Sequence, residues 1–327
     1  MKRASLCILG FYLVLTGLAY AGSEPTELKN GSNAELIATA ETLVSKPVPS
    51  LDALQADWTF AGVVVNENDE RYQYYVEIQR NGKDLHASAT LINGSTKEVV
   101  LYEESEGQID TDDNTSLKAG RIFLRYYPIN DSWIFGVKIK ENKGFNFKVD
   151  MLGLADASSA KQQKLRAGVE LQINQTGHLN GHLQTGASSK EEFVTASKAW
   201  FRQVWVDAEQ ADKPLFMGVL CQFNDGSAFY SVDMKEPDAV KAAVAGWRND
   251  QGEVVSMSQS VTVKEEKQGN WQIHISSPKL KLSLDDMLFE KTSNHRLIIG
   301  FTNGARPGFC AISKNELSQI NADKTVS

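Results

Sequence analysis

The sequence predicts an all-β fold of two tandem antiparallel β barrels with a short helix near each end. Three observations carry that prediction. From Trp58 onward the chain runs in short alternating stretches rich in Val, Ile, Tyr and Phe, the period-two pattern of half-buried strands. Asn81-Gly82, Asn93-Gly94, Asn180-Gly181, Asp225-Gly226 and Asn303-Gly304 punctuate these stretches; such pairs accept positive φ and favour hairpins. The third observation is an internal repeat. Phe60 to Val65 and then Tyr72 to Arg80 have counterparts in Phe216 to Cys221 and Phe229 to Lys235. Trp133 to Val137 and Phe145 to Met151 likewise match Trp271 to Ile275 and Leu280 to Asp285, in the same order. Two tandem β units explain that order.

At the N-terminus, Lys2 and Arg3 precede the apolar run Leu6 to Leu18 and the small-residue site Ala19-Tyr20-Ala21. Basic, apolar and cleavable parts in that order read as a signal peptide over residues 1–21. The apolar run is too short for a comfortable membrane span. The expectation is therefore an exported protein, periplasmic or secreted, with no transmembrane span in the mature chain. Residues 22–51 read as a helical and linker segment. Ser32 and Glu35 have capping-box spacing ahead of Leu36, Ile37, Ala40, Leu43 and Val44, and Pro47 and Pro49 end the pattern.

The first β unit is expected over 52–197 and the second over 198–320, with the crossing in the Gly-, Ser-, Lys- and Glu-rich stretch from Thr185 to Lys198. Leu85 to Tyr102 reads as a hairpin around Asn93-Gly94. The repeat then makes Val244 to Val255 a hairpin around Asn249 to Gly252, with at most a helical turn after Pro237, although propensity alone would allow a helix from Pro237 to Trp247. Ser313 and Glu316 repeat the capping-box spacing, so a short C-terminal helix is expected, followed by a polar tail over 321–327.

Composition excludes several functions. Lys and Arg total 34 against 41 Asp and Glu, a net −7. Without Lys2 and Arg3 the balance is 32 to 41, a net −9. A general nucleic-acid binder needs the opposite sign, so no nucleic-acid partner is expected. No Gly-rich dinucleotide loop, P-loop, H-E-x-x-H or G-x-S-x-G occurs. No cofactor and no metal are expected, and the catalytic residues are unknown. His178 and His182 bracket Asn180-Gly181 and read as loop residues flanking a turn. Removing the signal takes Cys7 with it and leaves Cys221 and Cys310. In an oxidising compartment they are a disulfide candidate, two separate buried thiols being the alternative. They fall on the first and last strands of the second unit, which are neighbours in an up-and-down barrel.

Aromatic residues beside cations supply the ligand-binding candidates. Arg125 and Tyr127 belong to one basic-aromatic strand, and Trp200, Arg202 and Trp205 to another. Strand alternation puts Trp200, Arg202 and Val204 on one face and Gln203 and Trp205 on the other. Such a lining suits an apolar ligand with a polar end. Filling of a dry core is the competing reading of the same aromatics.

The chain resembles the lipocalin-like AttH family, which includes the carotenoid hydratases. The resemblance covers about Trp58 to Ser313 and rests on Trp58-Thr59-Phe60-Ala61-Gly62, Ala199 to Trp205, Gln222-Phe223-Asn224-Asp225-Gly226 and Gly308-Phe309-Cys310-Ala311-Ile312. It implies two consecutive lipocalin-like barrels. Two carboxylate positions of the family's mid-chain motif are taken here by Arg202 and Val204, and Ala311 stands where a Glu is often found. Hydration of an isolated double bond needs a positioned acid, which Arg and Val do not supply. The resemblance and these departures together imply an exported lipocalin-like protein that binds or carries an apolar or amphipathic small molecule: a lipid, fatty acid or isoprenoid. One alternative is a divergent lipid- or isoprenoid-modifying enzyme using other acids such as Asp207 or Glu209. Another is a structural or partner-binding β module with filled barrels. A buried Arg202 needs an anion, from a protein carboxylate or from a ligand's acidic head.

Overall fold

Two curled antiparallel sheets make up the computed structural model. It describes residues 51–315 except 52, 54, 110–115, 152–162, 167–168, 177, 187–189, 197–198, 207–214, 237–238, 251–253, 259–260, 277–278, 292–294 and 305. The N-terminal signal and helix expected from the sequence, and the acids Asp207 and Glu209, lie outside the described residues, as does everything after Asn315.

The first sheet opens with a meander of long strands: β1 (Gln55–Asn66), β2 (Arg71–Asn81), β3 (Asp84–Asn93) and β4 (Val99–Gln108). A second meander follows, of β5 (Ser116–Ala119), β6 (Ile122–Tyr127), β7 (Ser132–Lys140) and β8 (Lys143–Asp150). The sheet is completed by β9 (Gln163–Arg166), β10 (Val169–Thr176), β11 (His178–Thr185), β12 (Glu192–Ala196) and β13 (Ala199–Val206). Its main path runs β4-β3-β2-β1-β12-β11-β8-β7-β6-β5, with β13 bridging β1 and β10 and β9 beside β10. The ends of that path nearly meet. A Cβ on Gly107 of β4 would lie 2.7 Å from the Lys118 carbonyl oxygen of β5. Arg121, just past β5, is paired with Glu103 of β4 at 2.5 Å.

The second sheet contains β14 (Leu215–Phe223), β15 (Ala228–Glu236), β16 (Ala239–Arg248), β17 (Val254–Ser258), β18 (Val261–Lys267), β19 (Asn270–Ile275), β20 (Leu280–Lys291), β21 (His295–Asn303) and β22 (Gly308–Asn315). Its order, β17-β16-β15-β14-β22-β21-β20-β19-β18, repeats the logic of the first. In each sheet a four-strand meander comes first, and its opening strand then pairs with the sheet's closing strand. The segments matched in the sequence repeat occupy corresponding places: β1 and β14, β2 and β15, β7 and β19, β8 and β20. Both sheets belong to one compact unit.

The structure corrects four sequence expectations. Residues 199–206, expected in the second unit, form β13 of the first sheet, because Ala199 to Val206 pair with Gly62 to Gln55 of β1. Asn180-Gly181, expected at a turn, lies wholly within β11. Gly181 is needed for close packing there: a Cβ would sit 2.2 Å from the Asn146 carbonyl oxygen and 2.8 Å from Phe147 Cα on β8. Consequently His178 and His182 lie on one strand, both side chains exposed. Ser313, expected to cap a helix, lies inside β22. The strand expected from Val244 is present but begins earlier: β16 runs from Ala239, where at most a helical turn was expected.

Strand alternation sorts the apolar residues into three layers. One lies inside the first sheet, where Phe60, Trp133, Phe135 and Phe201 touch ring to ring, Phe60 stacking on Phe135 at 4.1 Å. Trp58, Tyr74, Phe145 and Phe147 are buried in the same layer. A second lies inside the second sheet, around Phe223, Phe229, Trp247 and Trp271. The third is a seam joining the outer faces of the two sheets. Ala61, Tyr75, Leu171, Trp200 and Val204 of the first sheet meet Leu220, Tyr230, Leu297, Phe309 and Ala311 of the second there. Burying each large side chain contributes about 1.5–3 kcal/mol, so the seam is a core in its own right.

Candidate functional site

The chemically distinctive residues lie along this seam. Successive residues of a strand face opposite ways, so Asp57, Thr59, Ala61, Val63 and Val65 of β1 all face the second sheet, while Trp58 and Phe60 face inward. The residues facing the seam change in character along β1, from ionic to apolar to an open groove.

At the ionic end, Arg202 of β13 is 3% exposed and sits among carboxylates that are also buried. Its Nη2 donates to Asp57 Oδ1 at 3.0 Å and Oδ2 at 3.1 Å, to Thr59 Oγ1 at 2.8 Å and to Glu77 Oε1 at 3.3 Å. The Thr59 hydroxyl donates to Asp57 Oδ1 at 2.9 Å. From the second sheet, Ser313 Oγ donates to Glu77 Oε1 at 2.7 Å. Gly218 of β14 makes room for the guanidinium: a Cβ there would fall 1.6 Å from Arg202 Nη1.

Electrostatics follow from two carboxyl groups facing one guanidinium in a dry place. Burial pushes the Asp57 carboxyl up to about 7; Arg202 pulls it down and Glu77 pushes it further up. Burial works to lower the Arg202 pKa, but Asp57, Tyr75 and Glu77 outweigh it and hold the guanidinium above its ordinary value. Burial, reinforced by Glu77, keeps the Tyr75 phenol well above its usual range.

In the middle of the seam, Trp200 lies against Tyr230, ring centroids 5.8 Å apart. The Arg248 guanidinium sits over both rings, at 5.7 Å and 6.0 Å. At the far end the sheets diverge and leave a groove of about 610 Å³. The first sheet supplies Val63, Val65, Arg71, Gln73 and Lys97 to it, and the second Phe223, Phe301 and Phe309. Lys97 Nζ stands 5.2 Å from the centre of the Phe301 ring, and Phe301 meets Phe309 edge to face. The groove therefore offers two cations beside an aromatic and aliphatic wall.

The structure scatters the sequence-predicted ligand residues. Trp200 and Arg202 share the seam face. Trp205 is half-buried on the opposite face, against the first sheet's interior. Arg125 and Tyr127 lie on the exposed face of β6, while Ile122, Leu124 and Tyr126 point inward. Cys221 and Cys310 are directly opposite on β14 and β22 and form a disulfide, with Cα atoms 4.1 Å apart. Sequence reasoning missed Asp57, Glu77, Arg71 and Lys97. The face shared by Asp57 and Thr59 was readable from alternation, but their partners were not.

Fold and seam together define a tandem lipocalin-like β protein whose two sheets join back to back. No protein-family model matches the chain, and no curated protein does. Solved structures are similar to it, two among them as follows. One is a protein of Nitrosomonas europaea assigned to AttH, at a TM-score of 0.56 and 11% identity, covering 82% of this chain and 94% of that one. The other is kievitone hydratase from Nectria haematococca, at a TM-score of 0.55 and 13% identity, covering 83% and 94%. At these identities the likeness concerns the fold.

Proposed function

We propose that this chain is an exported lipocalin-like protein that binds an amphipathic small molecule with an acidic head, and that the groove between the sheets is the site. The groove itself carries this reading. Arg71 and Lys97 suit a carboxylate or similar anion, and Phe301, Phe309, Val63 and Val65 suit an apolar body. The interior of the first sheet is a poorer candidate, because Phe60, Trp133, Phe135, Phe147 and Phe201 already fill it. Arg202 is no longer needed as a ligand anchor, since Asp57 and Glu77 supply its anions. Titrating the purified protein with a fluorescent fatty acid tests the reading, alongside native mass spectrometry of protein taken from its own host.

A second reading is a divergent enzyme acting on an isoprenoid or lipid. It draws on one observation: Asp57 is a carboxyl group whose pKa burial pushes up to about 7, suited to proton donation near neutral pH. Against it, Asp57 is buried and bonded to Arg202 and Thr59. Turnover of a carotenoid-like alkene by the purified protein, abolished in Asp57→Asn, would favour this reading over simple binding.

A further inference from the structure

We propose that Asp57, Glu77, Arg202 and Ser313 form a proton-dependent clasp between the two sheets, tight when the carboxyl pair holds one proton and loosened when that proton leaves. The clasp belongs to the seam and depends on no ligand.

Asp57, Glu77 and Arg202 come from three strands of the first sheet, and Ser313 from the second. With both carboxyl groups ionised the cluster carries two negative charges against one positive. A buried excess charge is strongly unfavourable, and two interacting carboxyl groups titrate as a pair. One retained proton makes the cluster neutral. When an O–H bond of the pair breaks, the proton passes to solvent and a net negative charge stays behind. The Ser313 hydrogen bond to Glu77 carries the effect to the second sheet.

Among the described residues, the groups around the cluster are neutral, apolar or already paired. Tyr75 remains a neutral phenol, because burial and Glu77 both raise its pKa. Along the same cross-strand row, Thr59, Glu77 and Ser88 are followed by Glu104 of β4. Glu104 is paired with His86 at 3.3 Å, provided the imidazole is protonated. β10 sets Ile173 opposite Arg202. From the second sheet, Gly218 and Leu220 of β14, Val232 of β15, Leu297 of β21 and Ala311 of β22 face the seam.

The direction of the pH effect is set by Asp57, which is raised from 3.8 to about 7 on folding, first by burial. The native protein therefore holds a proton that the unfolded chain releases at lower pH. The stabilisation is complete below the unfolded value and is lost as pH rises through the folded one.

The experiment has two arms, both without ligand. Thermal unfolding from about pH 4.5 to about pH 8.5 reads the linkage in the wild type, Asp57→Asn and Glu77→Gln. The wild-type melting temperature is expected to fall by several degrees across that window. Either variant, left with one carboxylate and one guanidinium, should show a flatter profile. Infrared spectroscopy of the wild type alone supplies the second arm and needs no variant to fold. A protonated-carboxyl C=O stretch should be present at about pH 6 and gone by about pH 8.5. Identical pH profiles in all three proteins, or a wild type without that band at the lower pH, would overturn the clasp.

Discussion

Ser313 on the second sheet donates a 2.7 Å hydrogen bond to Glu77 on the first, across 236 residues of sequence. Through Glu77 the bond reaches Arg202 and Asp57, so a single buried cluster links both halves of the chain. Such clusters are costly to break on one side, because the surviving charges stay buried.

Arg202→Met should therefore destabilise the protein by about 3–5 kcal/mol, since it leaves Asp57 and Glu77 facing one another. Combining it with Asp57→Asn and Glu77→Gln should recover much of that loss. Urea denaturation of the single and triple variants measures both. A triple variant no more stable than the single one would show that the charges are not what makes the substitution costly.

Gly218→Ala probes the same cluster from the opposite sheet. The added methyl would fall 1.6 Å from Arg202 Nη1, so the guanidinium has to move off its partners. A loss of about 1–3 kcal/mol is expected from the overpacking. Gly82→Ala serves as a contrast: nothing lies within 4 Å of that Cβ, and its strain comes from φ of 65° alone. Denaturation midpoints compare the two.

The Cys221–Cys310 bridge ties the first and last strands of the second sheet and closes a span of 89 residues. Replacing both with Ser should cost about 2–5 kcal/mol. Guanidinium unfolding with and without reductant checks it; a wild type indifferent to reductant would count against the bridge.

Inside the first sheet, Phe60 contacts Trp133, Phe135 and Phe201. Phe60→Ala should lower stability by about 3–5 kcal/mol. Fatty-acid binding should survive in whatever fraction stays folded, because Phe60 faces away from the groove. Loss of binding from well-folded Phe60→Ala would move the site into the barrel.

Much of the fold was legible because its signals are local. Alternation marks the strands, and Asn81-Gly82, Asp225-Gly226 and Asn303-Gly304 stand at turns where Gly takes positive φ. Asn180-Gly181 carries the same local signal, but Gly181 answers to the β8 backbone thirty-odd residues earlier. Arg125 and Tyr127 were misplaced for a readable reason: Ile122, Leu124 and Tyr126 are the inward set, so their neighbours point out. The cluster was only half legible. Alternation puts Arg202 beside Trp200, yet Asp57 is 145 residues away and Glu77 125. The groove was not legible at all, because its walls come from separate strands of both sheets and carry no local pattern.

Binding of an acidic amphiphile in the groove between the sheets is the central claim. Titration of a fluorescent fatty acid into the wild type, Arg71→Glu and Lys97→Glu tests it most directly, with the fatty acid's methyl ester as the uncharged control. Saturable wild-type binding is expected, weakened by about 1–2 kcal/mol, roughly tenfold, in each variant, with a smaller difference between the proteins for the ester. Equal affinity of all three proteins for the acid, or no binding by the wild type, would contradict it.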